Sequence, residues 1–369
     1  MNAWYEIADI DRVDSPALVV YPDRVRRNIA LLISMIDDVK RLRPHVKTHK
    51  SPQATQMQLD AGINKFKCAT IAEAEMLGEC GAADVLLAYQ PVGPKVDRFI
   101  TVARRYPGTE YSCLVDDREA AITIAAKAKE AGIKIPVWID LNVGMNRTGI
   151  AADEHAAGFY QYCHELKDIL PVGLHVYDGH IHDKDFLLRK KKSDEAFASV
   201  EEVAKRITAD GIAKPKIIAG GSPTFSIHAK RRNVECSPGT FIFWDAGYQD
   251  LLEEQPFLTA ALVISRVISH PAPDLFCTDL GHKSVAAERN LDQRIRFLNA
   301  PSVKFISQSE EHLVIQPDEM QDWAVGKVLY GLPYHICPTC ALYDRAITVI
   351  DGKVSGAWEI GARRRVITV

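Results

Sequence analysis

The sequence predicts an α/β protein: a (β/α)8 barrel of the TIM type followed by a mostly β C-terminal domain. Two observations carry this. Through residue 218, short β-branched runs alternate with longer amphipathic stretches, the pattern of strands joined by helical crossovers into a parallel sheet. After about residue 250 the helical stretches stop, and short apolar runs follow one another with turns between them.

Taken in order, Ala17–Val20 reads as a strand, and residues 24–39 read as a helix with Ile29, Leu32, Ile33 and Ile36 on one side. Strands are expected at 65–68, 84–88, 111–115, 136–141, 172–176 and 216–218. Helices are expected at 71–80, 94–105, 117–131, from Asp153 onward, and at 193–210. About eight such units in roughly 230 residues fit a closed barrel, with a doubly wound open sheet as the alternative. The later strands fall at 258–269, 274–279, 302–307, 311–316, 327–330, 346–350 and 353–358, and Asp351-Gly352 between the last two is a hairpin signal. We place the barrel domain at 14–250 and the β domain at 251–369 together with residues 1–13.

Composition sets the outer limits. With 369 residues, 47% of them apolar, and a net charge of −3 without a basic block, nothing points to nucleic acid or an anionic membrane surface. The N-terminus lacks the basic and apolar regions of a signal peptide, and no apolar run reaches the length of a membrane span. Eight cysteines scattered through a chain this large fit reduced thiols and a cytoplasmic setting.

Several clusters could carry chemistry. Lys47 lies in Arg43-Pro44-His45-Val46-Lys47-Thr48-His49-Lys50. An amine must be neutral to attack an aldehyde, and neighbouring cations favour that form. Taken alone, the octapeptide reads as a solvated basic loop. Gly220-Gly221-Ser222-Pro223-Thr224 follows the run Lys216-Ile217-Ile218-Ala219; its glycines let backbone N–H groups approach a phosphate, and Ser222 and Thr224 add hydroxyls. Ser237-Pro238-Gly239-Thr240 is a second loop of this kind. Arg147, in Gly144-Met145-Asn146-Arg147-Thr148-Gly149, follows a strand end from which it can reach a pocket. His175, Tyr177, His180 and His182 crowd the end of another strand. His335-Ile336-Cys337 read as an extended segment puts an imidazole and a thiolate on one side, enough for an open metal site. Cys340 adds half of a zinc-type spacing, but no second Cys-x-x-Cys exists to close a four-cysteine site.

In this order, these motifs resemble the D-threonine aldolase and D-serine dehydratase family, whose barrel is shared with alanine racemase. The resemblance runs from Asp14 to Arg363 and is strongest at the octapeptide, at 144–149, at 220–224 and at Pro333-Tyr334-His335-Ile336-Cys337-Pro338-Thr339. It implies a pyridoxal 5′-phosphate enzyme with Lys47 as Schiff-base lysine. Gly220, Gly221, Ser222 and Thr224 would sit at the phosphate, joined by Ser237, Gly239 and Thr240. Arg147 would lie near the pyridine ring, with Tyr177 lining the pocket and His180 as a further catalytic residue. His335 and Cys337 would hold a divalent metal: zinc, manganese or magnesium. The resemblance also implies a homodimer, with the active site near the barrel mouth of one subunit and the β domain of the other. Related enzymes often place a charged residue before the Pro-Gly pair, at the pyridine nitrogen; here it is Ser237, with Asp245 and Tyr248 as alternatives.

His335-x-Cys337 matches the dehydratase ligand pair, whereas Cys337-Pro338-Thr339 followed by Leu342-Tyr343-Asp344 matches the aldolase context. We adopt a metal-assisted lyase acting on D-3-hydroxy amino acids by retro-aldol cleavage. Dehydration of D-serine or 3-hydroxyaspartate is the alternative. An amino-acid racemase and a non-catalytic cofactor-binding protein are the more distant readings.

Overall fold

The computed structural model describes residues 3–318 and 323–368. It divides into two compact units: 32–47, 55–239 and 364–369 in one, and 1–31, 48–54 and 240–363 in the other. The β-rich unit thus begins at Thr240 in this division, against the expected domain boundary of 250/251, and takes in 1–31 rather than 1–13 alone. The strands are β1 (Ala17–Val20), β2 (Lys65–Cys68), β3 (Asp84–Leu87), β4 (Glu110–Val115), β5 (Ile135–Asn142), β6 (Ile150–Ala151), β7 (Ile169–Val176), β8 (Lys216–Ala219), β9 (Val234–Cys236), β10 (Ala261–Ala272), β11 (Leu275–Thr278), β12 (Ile295–Phe297), β13 (Val303–Gln308), β14 (Leu313–Pro317), β15 (Val328–Pro333), β16 (Arg345–Ile350) and β17 (Lys353–Glu359).

In the first unit β2, β3, β4, β5, β7, β8 and β9 pair in parallel in that order, and the two-residue β6 adds to β5. Residues 42–47 join the ends of this sheet. Leu42 bridges Cys236 and His45 bridges Lys67, both in parallel. Arg43 N donates to Cys236 O (2.9 Å), Lys67 N to Pro44 O (2.9 Å) and Val46 N to Lys67 O (2.9 Å). The barrel's first strand is therefore this short segment, and not Ala17–Val20 as the sequence suggested. β1 lies in the other unit, antiparallel to β10 and parallel to β16. All four of its residues are buried, and a strand buried on both faces looks alike in a barrel and at the centre of a mixed sheet.

Helices lie between the barrel strands as periodicity predicts. Asp117 caps Arg118–Glu130 through Ala120 N, and Thr70 caps Ile71–Glu79 through Glu73 N. The long helix Phe186–Ala209 starts seven residues before its expected position, capped by Asp185. Helix Pro52–Asp60 has no counterpart in the sequence reading, because its polar composition hides any apolar stripe. No helix among the described residues is long and apolar enough to cross a membrane.

Leu86, Leu114, Trp138 and Ile218 form one apolar cluster in the barrel unit. Charged groups are buried there too. Arg43 is 1% exposed and forks onto both oxygens of Asp84 (2.6 Å each), while its Nε donates to Glu235 Oε2 at 2.8 Å. Burial opposes the guanidinium charge, but Glu235 and Asp84 outweigh it and push the Arg43 pKa up. His175 of β7 meets Asp140 of β5 through Nδ1···Oδ1 at 2.7 Å, and both are buried.

In the β-rich unit the sheet runs β13-β14-β11-β10-β1-β16-β17, with β15 pairing β10 and β12. The expected hairpin is present: Ile350 pairs with Lys353, and Asp351 and Gly352 have φ of 50° and 71°. Positive φ at both central residues is what a type I′ turn requires.

Two predictions follow from the buried charges. Arg43→Met should lower the unfolding free energy by about 3–5 kcal/mol, because it leaves two carboxylates without their buried partner; a urea titration that shifts by less than the experimental error contradicts this. The second concerns pH. Burial, then Lys67, pull the His175 pKa from 6.5 to about 4, against the favourable pull of Asp140. The unfolded chain therefore takes up a proton that the folded chain refuses, so this contribution is full above pH 6.5 and is lost as pH falls toward 4. Between pH 7 and 5 the wild type should lose about 2 kcal/mol more stability than His175→Gln; equal losses would remove His175 as the source.

Candidate active site

The barrel unit brings most of the expected residues to the C-terminal ends of its parallel strands, the face where such barrels hold their active sites. Lys47 follows the closing segment and is half-buried. Its backbone N–H donates to His45 Nδ1 at 3.2 Å. Tyr177, just past β7, is the centre of a group of cations. The Arg147 guanidinium lies 4.6 Å from its ring centroid, Lys47 Nζ 6.0 Å and Lys67 Nζ 5.9 Å. Gly179 and Gly221 make room for that ring: a Cβ on Gly179 would stand 2.3 Å from Tyr177 Cζ, and one on Gly221 would stand 3.0 Å from Cε2.

The cations beside Lys47 are not the ones its sequence neighbours suggest. Arg43 is committed to Asp84 and Glu235. In the β-rich unit, burial lowers the His49 pKa to about 3, and its Nδ1 accepts from Ser51 N. Lys67, which the motif reading passed over, is 3% exposed. Its signal was present in Lys65-Phe66-Lys67-Cys68, where alternation puts both lysines on one face of a short strand. Asp140, the carboxylate beneath His175, was likewise read only as strand.

Gly220 turns the chain after β8 with φ of 77°, and a Cβ there would meet His228 Cδ2 at 2.6 Å. Thr224 is fully buried and its hydroxyl donates to Asp178 Oδ1 at 2.7 Å; Asp178 Oδ2 faces His228 Nε2 at 2.8 Å. Burial raises the Asp178 carboxyl, but His228 and Thr224 outweigh it and hold it below the usual range. The Thr224 hydroxyl thus braces the loop. Gly239 N donates to Ser222 Oγ at 3.3 Å, and His45 N to Pro238 O at 3.0 Å, so both glycine-containing loops are tied to the segment that carries Lys47.

Three side-chain atoms around this face are buried without a hydrogen-bond partner: His175 Nε2, His180 Nδ1 and Ser237 Oγ. His180 Nε2 lies 2.8 Å from where a Cβ on Gly144 would stand, so Gly144, at φ 117°, keeps the imidazole its space. His182 is exposed and stands apart from this set. Unsatisfied donors and acceptors, a ring of cations, glycine loops and a primary amine together fit a phosphorylated, ring-shaped aldehyde.

The metal pair belongs to the β-rich unit. His335 stands at the position just before helix Ile336–Cys340, so Cys337 sits in the first helical turn and not in the extended segment expected from the sequence. His335 and Cys337 still meet, through a hydrogen bond between their side chains. His335 Nδ1 faces Glu288 Oε1 at 2.5 Å, the kind of carboxylate that orients a metal-binding imidazole. Burial alone would depress His335, but Cys337, Glu288 and Asp245 raise its pKa to about 9. Cys337 Sγ lies 3.2 Å from Thr48 Oγ1 and 3.6 Å from Thr240 Oγ1, so Thr240, expected at the cofactor, stands against the thiol. Cys340 is fully buried and its thiol pKa is pushed well up, which keeps it protonated. No group of three or more His, Cys, Asp or Glu able to hold a metal occurs among the described residues. Asp245, considered above for the pyridine nitrogen, accepts from Tyr248 N and Ile336 N at 3.0 Å each and so fixes the start of the metal-pair helix.

Residues 20–246 match the family profile of the alanine racemase N-terminal domain, and residues 260–349 match a putative serine dehydratase domain. A D-threonine aldolase from Arthrobacter sp. is 28% identical over 95% of this chain and 93% of its own length. Among solved structures, D-threonine aldolase from Filomicrobium marinum superposes with a TM-score of 0.89 at 25% identity, covering 99% of this chain and all of that one. The D-threo-3-hydroxyaspartate dehydratase from Delftia sp. HT23 superposes with a TM-score of 0.83 at 26% identity, over 94% of this chain and 97% of its own. A cysteine-to-alanine mutant of a dehydratase of that name has been solved in a metal-free form. With the lysine, the glycine loops and the cation-ringed tyrosine at the strand ends, and more than half its length matched, this chain belongs to the alanine racemase N-terminal domain family, within its branch of pyridoxal-phosphate-dependent aldolases and dehydratases.

Proposed function

We propose that the protein is a divalent-metal-assisted lyase that cleaves D-3-hydroxy amino acids to glycine and an aldehyde. The observation that carries this reading is the pairing of two chemistries in one chain: an amine among cations at the barrel's strand ends, and an open His335–Cys337 pair backed by Glu288. A racemase needs two bases and no metal pair, so it leaves the second feature without a use.

Lys47 would hold pyridoxal 5′-phosphate, with Gly220, Gly221, Ser222, Thr224 and Gly239 around the phosphate and Arg147 and Tyr177 at the ring. Ser237 would face the pyridine nitrogen as a neutral hydroxyl. When bound, the cofactor supplies an electron sink for the pair left at Cα, and the metal, whether zinc, manganese or magnesium, supplies a Lewis acid for a hydroxyl oxygen. His180, whose Nδ1 is buried and without a partner, would take the proton from the substrate's β-hydroxyl as the Cα–Cβ bond breaks. Arg147 would keep positive charge beside the developing negative charge. Tyr177, fixed between Gly179 and Gly221, would set the floor of the pocket.

Dehydration is the second reading, favoured by the His-x-Cys pair and by the similarity to the Delftia enzyme. Lys47 would then remove the α-proton, and the β-hydroxyl would leave to give a 2-oxo acid and ammonia. We also propose a cytoplasmic homodimer with small-molecule D-amino acid substrates, supported by the resemblance to the family and by the scattered cysteines, which form no disulfide among the described residues.

Lys47→Ala should abolish the visible absorbance of the lysine-bound cofactor in the purified protein; an unchanged spectrum would refute the assignment. Removing metal with a chelator, or introducing His335→Ala, should abolish lyase activity while cofactor absorbance persists, and full activity after complete metal removal would sink the metal role. Product analysis with D-threonine and D-serine then separates the two readings: glycine plus acetaldehyde marks the aldolase, whereas 2-oxo acid plus ammonia marks the dehydratase.

A further inference from the structure

Lys67 stands where a barrel of this type ordinarily carries an apolar side chain. It is 3% exposed, and its strand neighbour in register is Leu86, part of the apolar core cluster. A buried ammonium without a paired anion is costly and tends to lose its proton. Asp140 favours the Lys67 charge, but its Oδ1 is engaged by His175 at 2.7 Å and its carboxylate also accepts from Thr148. The remaining charged groups that act on Lys67 are cations: Lys47, Arg147 and Arg43. Desolvation first, then Lys47, bring its pKa down from 10.5 to about 7. Two of those cations ring the same tyrosine: Lys47, Lys67 and Arg147 all lie within 6.0 Å of the Tyr177 ring centroid. The chain has thus gathered three basic groups around one ring, and the carboxylate that acts on Lys67 is already bonded to His175 and Thr148.

We propose that Lys67 is an anion-contacting residue of the active site, donating from Nζ to an anionic oxygen bound beside Lys47. This rests on Lys47 being the cofactor lysine. Two oxygens have the required chemistry: the phenolic oxygen of the cofactor, and the α-carboxylate of the amino acid substrate. In either case the anion supplies the charge that the barrel interior lacks and restores the ammonium form of Lys67.

The test compares wild type with Lys67→Met and Lys67→Arg in the metal-loaded protein. Three quantities are read: the Kd for pyridoxal 5′-phosphate on titrating the cofactor-stripped protein, the pH midpoint of the visible absorbance, and KM against kcat for D-threonine or D-serine, whichever is turned over. If the partner is the phenolic oxygen, Lys67→Met should weaken cofactor binding about tenfold and move the spectral midpoint, and Lys67→Arg should recover most of the affinity. If it is the substrate carboxylate, Lys67→Met should leave cofactor binding and spectrum in place while KM rises about tenfold with kcat nearly unchanged. A Lys67→Met protein that melts like wild type and matches it within twofold in all three quantities overturns the proposal. Lys67→Gln replaces Lys67→Met if the latter does not fold. Failure of the underlying cofactor assignment looks different: wild type itself would then show no visible absorbance lost in Lys47→Ala.

Discussion

The barrel unit depends on one closure. Residues 42–47 lie between β9 and β2, hydrogen-bonded to Cys236, Pro238 and Lys67 through the backbone, and Arg43 locks the same junction from inside with Asp84 and Glu235. Without this segment the parallel sheet has two free edges, each a row of unpaired N–H and C=O groups. Closing it does more than remove them. Side chains two apart along an extended segment point the same way, so fixing Arg43 at the junction sets His45 in the same column, and Lys47 follows in the turn just beyond it. The position of the Lys47 amine is a consequence of how the barrel shuts.

The rest of the strand-end face is arranged around that column. The loop carrying Ser237 is tied to His45 and the loop carrying Ser222 is tied to Gly239, while Thr224 is braced from below by Asp178 and His228. Rigid support of this kind is what a phosphate cradle needs, because its N–H groups must already point at the anion before it arrives. The β-rich unit uses the same device elsewhere. Asp245 caps its own helix and receives Ile336 N, so one buried carboxylate orients both the Ala246–Leu251 helix and the turn that bears His335 and Cys337. Its pKa rises to about 6 through burial.

Much of this was legible in the sequence, and the failures have physical reasons. Alternation and spacing marked the parallel strands, the Asp351-Gly352 hairpin and the glycine loops, because each is dictated locally. Ala17–Val20 was placed in the wrong sheet since a four-residue apolar strand carries no information about its partners. The true first strand, around Arg43 and His45, is short and mixed in polarity, with Arg43 turned to Asp84 and Glu235, and a stretch of that kind reads as a loop. Lys67 and Glu288 escaped for the opposite reason: each is a single charged residue in an ordinary context, and only tertiary structure sets one beside Lys47 and the other beside His335. The motif reading gathered cations around Lys47 from its own octapeptide. The fold instead recruits them from β2 and the loop after β5, while Arg43 is turned to structural work.

A protein interior tolerates unpaired polar atoms and an unpaired amine only at a cost of roughly 1–3 kcal/mol for each orphaned group. Here His175 Nε2, His180 Nδ1 and Ser237 Oγ lie in one unit, and the buried Lys67 amine belongs to the same unit, in which Arg43 and Asp178 are paired. Selection for stability alone would scatter or remove such defects. These three atoms lie around the strand ends that also carry Lys47 and Arg147, and in the proposed function the bound group would complete their hydrogen bonds. Burial first, then neighbouring cations, depress the pKa values of His175 and Lys67, so in the proposed function a group that supplies anionic oxygens would favour the lysine's charged form. Stability, protonation and ligand binding in this barrel are therefore three readings of a single unsatisfied network.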